Sequence, residues 1–163
     1  MNRQKIKTCI SKTGTLLRYF AGTPLSADFE IILIALSKNQ YMLENTLEYA
    51  CRELRADPII VLFAIDADGC ALNYADTKFL SDRKIVLAAV KKNGGSLEFV
   101  SDDLRADREI VLTAVKNNGW TLKYASEDLR ADLEIVLEAV KNDGRVLQFA
   151  SSELQIKYKS LIN

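Results

Sequence analysis

The sequence predicts an all-α protein, a short α-solenoid or curved bundle of helical hairpins built on a repeat of 25 residues. Three observations predict it. Asp57, Asp82, Asp107 and Asp132 recur at intervals of 25, and each is followed at fixed distances by an apolar block, an alanine, a glycine, a leucine and an aromatic residue. Within a unit, apolar residues stand three, four, seven and eight places after the aspartate, which is the spacing of one helix face and not the alternation of a strand. Finally, a single unit has too few apolar side chains to offset the ordering of its own backbone. It must share a core with its neighbours.

The elements follow in order. Residues 2–27 form a degenerate first unit: Ile6, Cys9, Ile10, Gly14, Leu17 and Tyr19 fill the expected slots, while Lys5 and Lys7 replace apolar residues. This polar unit suits an end cap. Residues 28–56 form a second unit with Asp28, Ile31-Ile32-Leu33, Ala35, Leu47 and Tyr49, but its turn lacks glycine and carries four extra residues. Regular units then span 57–81, 82–106, 107–131 and 132–156, and residues 157–163 make a C-terminal cap, with Ile156, Tyr158, Leu161 and Ile162 as the apolar residues of a short closing helix.

Each regular unit reads as a hairpin. Its aspartate caps a first helix, because a carboxylate accepts bonds from the free N–H groups of the first turn, and Pro58 after Asp57 is tolerated where no N–H is needed. Lys91, Lys116 and Lys141 suit the negative end of that helix. The glycines Gly69, Gly94, Gly119 and Gly144 are expected to supply a left-handed C-terminal turn. A short second helix carries apolar residues at offsets 15, 17, 18 and 22. The string LRAD, at Leu54–Asp57, Leu104–Asp107 and Leu129–Asp132, then joins one unit to the next; Phe79-Leu80-Ser81 replaces its first three residues once.

Composition narrows the function classes. Of 163 residues, 48% are hydrophobic and 27% charged, a globular profile, and no apolar run approaches the roughly 20 residues that span a bilayer. No membrane association is expected. Cys9, Cys51 and Cys70 are odd in number and lack metal-ligand spacing, which points to a reducing cytosol. Without a single histidine, the commonest general base and the commonest zinc ligand are both missing. No catalytic residue, metal or cofactor is expected. Charge balances at 22 against 22, yet residues 1–27 hold five basic and no acidic side chains. Anion or nucleic-acid binding through this basic unit, with Tyr19 and Phe20 as stacking residues, is the alternative reading, although the acidic remainder disfavours it. An enzyme of unknown class is a weaker alternative.

Other candidate sites reduce to structure. "DADG" at Asp66–Gly69 begins like a calcium loop, but its counterparts "KKNG", "KNNG" and "KNDG" mark it as the helix-stop turn. Acids Asp102, Asp103, Glu127 and Asp128 recur beside the LRAD arginines, so Arg55, Arg105 and Arg130 are expected to pair with loop acids or, less favourably, to line up as anion contacts. Positions that refuse to repeat are better candidates for binding. Offset 13 reads Cys70, Gly95, Trp120 and Arg145, and tryptophan and arginine are enriched where binding energy concentrates. Trp120 has a second reading, in which it folds over its turn onto the adjacent repeat. Offset 6 runs from Ile34 and Phe63 through Ala88 and Thr113 to Glu138, and the inserted loop adds Tyr41 and Met42. Partner contacts are therefore expected at Trp120, Arg145, Tyr41, Met42 and Phe63, with another protein as partner.

The string "LRADREIVLTAVKNNGWTLKYASEDLRAD" resembles the tandem repeats of the domain-of-unknown-function family four-one-one-six. The resemblance covers 57–154 well, 28–56 moderately and 2–27 weakly. Such repeats occur in proteins of intracellular bacteria and protists, often bacterial proteins thought to be delivered into host cells. The resemblance implies a helical interaction scaffold, an effector or a regulator or inhibitor of one, acting in the cytoplasm or in a host cytosol. It brings no catalytic residue with it.

Overall fold

A computed structural model describes Thr8, Tyr19, residues 21–38 and residues 46–158. Most of the 2–27 unit, the inserted loop with Tyr41 and Met42, and the closing residues Leu161 and Ile162 lie outside the described residues.

Five ten-residue α-helices carry the frame: α1 Phe29–Lys38, α2 Pro58–Ala67, α3 Arg83–Lys92, α4 Arg108–Asn117 and α5 Leu133–Asn142. Their starts are set by the predicted caps. The Asp107 carboxylate accepts from the N–H groups of Glu109 (3.0 Å) and Ile110 (3.1 Å), and Asp57, Asp82 and Asp132 repeat the arrangement. Each long helix lies beside the next in one layer. The predicted stripe is the buried one: Ile60, Val61, Ala64 and Ile65 in α2, and their equivalents in α3 and α4, are sealed from solvent. The second layer buries Leu72, Leu97, Leu122 and Leu147 against them.

That second layer corrects the simple hairpin. After each of α2 to α5 comes a 3-10 helix of six residues (Gly69–Tyr74, Gly94–Phe99, Gly119–Tyr124, Gly144–Phe149), and the second unit has a shorter one at Thr46–Tyr49; a separate short turn of helix follows. The latter is α-helical at Arg52–Arg55, Asp102–Arg105 and Glu127–Arg130, and a 3-10 helix at Thr77–Ser81, where the LRA sequence is replaced and Phe79 is buried in the leucine's place. Apolar residues at offsets 15, 17 and 18 are too crowded for a 3.6-residue stripe, and the tighter helix presents them. Consecutive units are tied by one backbone bond each. The N–H groups of Asp76, Ser101, Ser126 and Ser151 donate to the carbonyls of Arg55, Leu80, Arg105 and Arg130 at 2.9–3.0 Å. The LRAD string is thus a joint.

The glycines do not make left-handed turns. Among the described residues, only Gly22 has positive φ, at 73°. Each of α2 to α5 ends instead on an extended Asp or Asn (Asp68, Asn93, Asn118, Asp143) whose side chain accepts from the N–H two residues on and starts the 3-10 helix. Glycine follows because the next unit comes so close. A methyl group on Gly69 would lie 2.6 Å from the carbonyl oxygen of Ala89, and one on Gly119 would lie 2.5 Å from that of Ala139. The invariant alanine and the invariant glycine are two halves of one contact between units.

Candidate functional site

Three surfaces hold the candidate residues. The first is the row of hairpin tips. Trp120, half-buried, donates from Nε1 to the Asp143 carboxylate of the next unit at 3.2 Å. Its ring meets Phe149 edge-on with centroids 5.7 Å apart, and the Arg145 guanidinium lies 5.4 Å over it. Arg145 in turn clamps Asp143, with bonds of 3.0 Å from Nε and 2.6 Å from Nη2. These bonds, with the backbone N–H of Arg145 and the indole N–H, hold the Asp143 carboxyl down to about 2. Trp120 and Arg145 are brought together, with Trp120 laid over the adjacent repeat. The Arg145 side chain remains 76% exposed.

The second surface is the LRAD edge. Arg105 donates from Nη2 to the Glu98 carbonyl at 2.7 Å and stands 3.5 Å from Asp102; Arg130 stands 3.8 Å from Glu127. Both pairings with loop acids match the expectation. Arg55 lines a groove with Arg52, Ala75, Asp76 and Thr77. The Nε atoms of Arg55, Arg105 and Arg130 are covered and have no bonding partner. The guanidinium ends reach outward while the stems seal the joint.

The third surface is the outer face of the long helices. On α2, Ile59, Leu62 and Phe63 are 64%, 44% and 43% exposed, so this helix carries apolar residues on both faces, as α5 does to a lesser extent with Leu133 and Leu137. A groove lined by Leu62, Ile65, Asp66, Ala88, Lys91 and Lys92 lies between α2 and α3. Tyr41 and Met42, assigned to the same half of the protein, lie outside the described residues.

An ion-pair ladder runs along the N-terminal edge of this face, and sequence reasoning missed it. Arg83 bonds Asp107 at 2.8 Å and also Glu109; one unit on, Arg108 bonds Asp132 at 3.2 Å and also Glu134. Burial pushes the Asp107 carboxyl up, but the Arg83 bond and the helix N–H groups outweigh it and leave it below the usual range. The signal was a basic residue one place after a cap, matched in the following unit by an acid two places after its cap.

The remaining chemistry is structural. Asp68 of the "DADG" segment caps its 3-10 helix by accepting from Cys70 N–H at 2.9 Å. Burial, and then the Asp68 charge, push the Cys70 thiol up, and its sulfur accepts from Asn93 at 3.1 Å. That environment disfavours a thiolate nucleophile. Cys9 lies outside the described residues, as does Phe20. Among the described residues, no group of three His, Cys, Asp or Glu side chains is placed to hold a metal, and no helix is long and apolar enough to cross a membrane.

Against known families, residues 57–105 and 107–155 each match the model described as "Domain of unknown function (DUF4116)". Each match takes in two of the 25-residue units. No curated protein and no solved structure matches the chain.

Proposed function

We propose that this chain, which belongs to the DUF4116 family, is a non-catalytic scaffold that binds another protein. The supporting observation is the contrast between a frame that repeats and a surface that does not. Caps, stripe, alanine and glycine recur in each regular unit, whereas the positions at offsets 6 and 13, half-buried or exposed, differ from copy to copy. A stacked frame with variable outward side chains presents a broad surface at no cost to its core. The cluster Ile59, Leu62 and Phe63 adds apolar area on that surface, of the kind that marks interaction sites. On this reading the protein acts in a cytosol, its own or a host's, as an adaptor, an effector or the inhibitor of one.

Affinity capture tests the scaffold reading. Wild type, Phe63→Ser and Arg145→Ala serve as baits, because both side chains are exposed enough for the fold to survive the change. The expected result is a protein retained by wild type and lost with one of the variants. Retention of nothing beyond a bait-free control, or equal retention by all three, overturns the reading.

A further inference from the structure

We propose that the outer face of the long-helix layer docks an acidic amphipathic helix whose apolar residues recur every seventh position. The inference rests on the scaffold reading above and names its surface and its partner's chemistry.

The first observation is a leucine that lies outside the sealed stripe. Offset 5 is leucine in all five units from Asp28 onward: Leu33, Leu62, Leu87, Leu112 and Leu137. The sealed stripe occupies offsets 3, 4, 7 and 8, yet Leu62 and Leu137 are 44% and 42% exposed, and the other three are half-buried. The next position along, offset 6, changes from isoleucine and phenylalanine through alanine and threonine to glutamate over the same units. Leu33, Leu87 and Leu112 lean on the core from its outer side, and with Leu62 and Leu137 they make an apolar row that is part packing and part surface.

The second observation is charge. Four residues further along α3, α4 and α5, about 6 Å away by helical rise, stands a parallel row of exposed lysines, Lys91, Lys116 and Lys141, where α2 has Asp66 and α1 has Ser37. Lys91 and Lys116 have no carboxylate within ion-pair distance among the described residues, while Lys141 pairs with Glu138 at 2.8 Å. The opposite edge is already neutralised, because Glu109 and Glu134 are taken by Arg83 and Arg108. Over α3 and α4 the face therefore has leucines along its middle, Lys91 and Lys116 along its C-terminal edge, and Lys84 as the cation left over at the other edge. It complements a partner with an apolar seam and acids on one side.

The third observation is spacing. Packed helices stand about 8–10 Å apart, so each row advances by that step per unit. Two turns of an α-helix, seven residues, rise about 10.5 Å. A helix laid across the layer brings residues i, i+7 and i+14 over Leu87, Leu112 and Leu137 in turn. Its flanking acids meet the lysines at the same step.

The test uses designed peptides of about four heptads, long enough at roughly 1.5 Å per residue to cross the layer. One carries leucine every seventh residue flanked by glutamate, the second has lysine for glutamate, and the third is the first with its order scrambled. Binding is read by fluorescence anisotropy at low and moderate salt. The acidic heptad peptide is expected to bind about tenfold more tightly than the scrambled one, and more weakly as salt rises. The K91E/K116E/K141E variant is expected to reverse the preference toward the lysine peptide. Its changes are all on exposed side chains, and circular dichroism confirms its fold. L62E/L137E, at the two exposed leucines of the row, is expected to lose binding to both peptides while its circular dichroism stays that of the wild type. Equal binding of the scrambled peptide, a charge preference unmoved by the lysine swap, or no binding by any peptide overturns the inference. If the captured protein is still retained by K91E/K116E/K141E while the peptides fail, the scaffold reading stands and its site is elsewhere. If capture and peptides both fail, both readings fall.

Discussion

Replacing Gly119 with alanine separates two accounts of the repeat's most regular residue. A methyl group there would stand 2.5 Å from the Ala139 carbonyl oxygen and 3.0 Å from the Asn142 Cβ, both in the next unit. Neither obstacle is the end of a flexible side chain, so relief requires α5 to move away from its neighbour. Overpacking a tight contact costs about 1–3 kcal/mol, and an obstacle made of backbone places the cost toward the upper end. With a urea slope of about 1–3 kcal/mol/M, the unfolding midpoint falls by roughly 1 M. Gly95→Ala is the control, since its nearest neighbour is the Asn93 carboxamide oxygen at 3.0 Å, the end of a side chain and not backbone of the next unit. Gly119→Asn makes the comparison decisive. A left-handed turn tolerates asparagine better than alanine, whereas a steric contact penalises both alike. Urea unfolding followed by circular dichroism reads all three. The close-approach account is refuted by an asparagine variant near wild type, or by Gly95→Ala as costly as Gly119→Ala.

Asp107→Ala removes the acceptor for two N–H groups and should cost about 1 kcal/mol, within the 0.5–2 range of cap losses, whereas Asp107→Asn keeps an acceptor and should cost a few tenths. Equal losses in urea unfolding would show that the Arg83 ion pair, not the cap, carries the residue's contribution. The folded Asp143 carboxyl titrates at about 2 against an ordinary value near 3.9, so its contribution to stability is complete above pH ~4 and disappears as pH falls through its folded value. Asp107 and Asp132 are shifted in the same direction and add to the same acid loss. Trp120 is the only tryptophan and bonds Asp143, so its fluorescence should report that step, and Arg145→Ala should move the step to higher pH. A midpoint unmoved by Arg145→Ala refutes the assignment.

What was legible in the sequence, and what was not, divides by whether a signal stays within one unit. The buried stripe at offsets 3, 4, 7 and 8 follows from helical geometry alone, and the capping aspartates follow from the free N–H groups they face. The glycine was misread because its residue type has two uses, tolerance of positive φ and absence of Cβ, and a single unit cannot tell them apart. The Asp or Asn before each glycine was the available clue, since such a side chain starts the segment that follows it. Trp120 had two readings because its partners, Asp143, Arg145 and Phe149, are in the next unit.

The contacts that escaped share one property. Arg83 reaches Asp107 and Glu109 across 24 and 26 residues, Trp120 reaches Asp143 across 23, Cys70 meets Asn93 across 23, and the Asn117 side chain accepts the Gly94 N–H across 23. All lie within two residues of the 25-residue period. In a stack where each unit touches only its neighbours, a side chain near the interface finds its partner about one period away. Reading the sequence against itself, shifted by one unit, would therefore have paired Arg83 with Asp107 and Trp120 with Asp143. It leaves Lys91 and Lys116 facing one another's row with no acid between them. Self-repulsion along such a row weakens the stack slightly unless something else holds it in place. Asp66 and Glu138 stand beside the two ends of the row, and an acidic partner would relieve the remaining repulsion along the same edge.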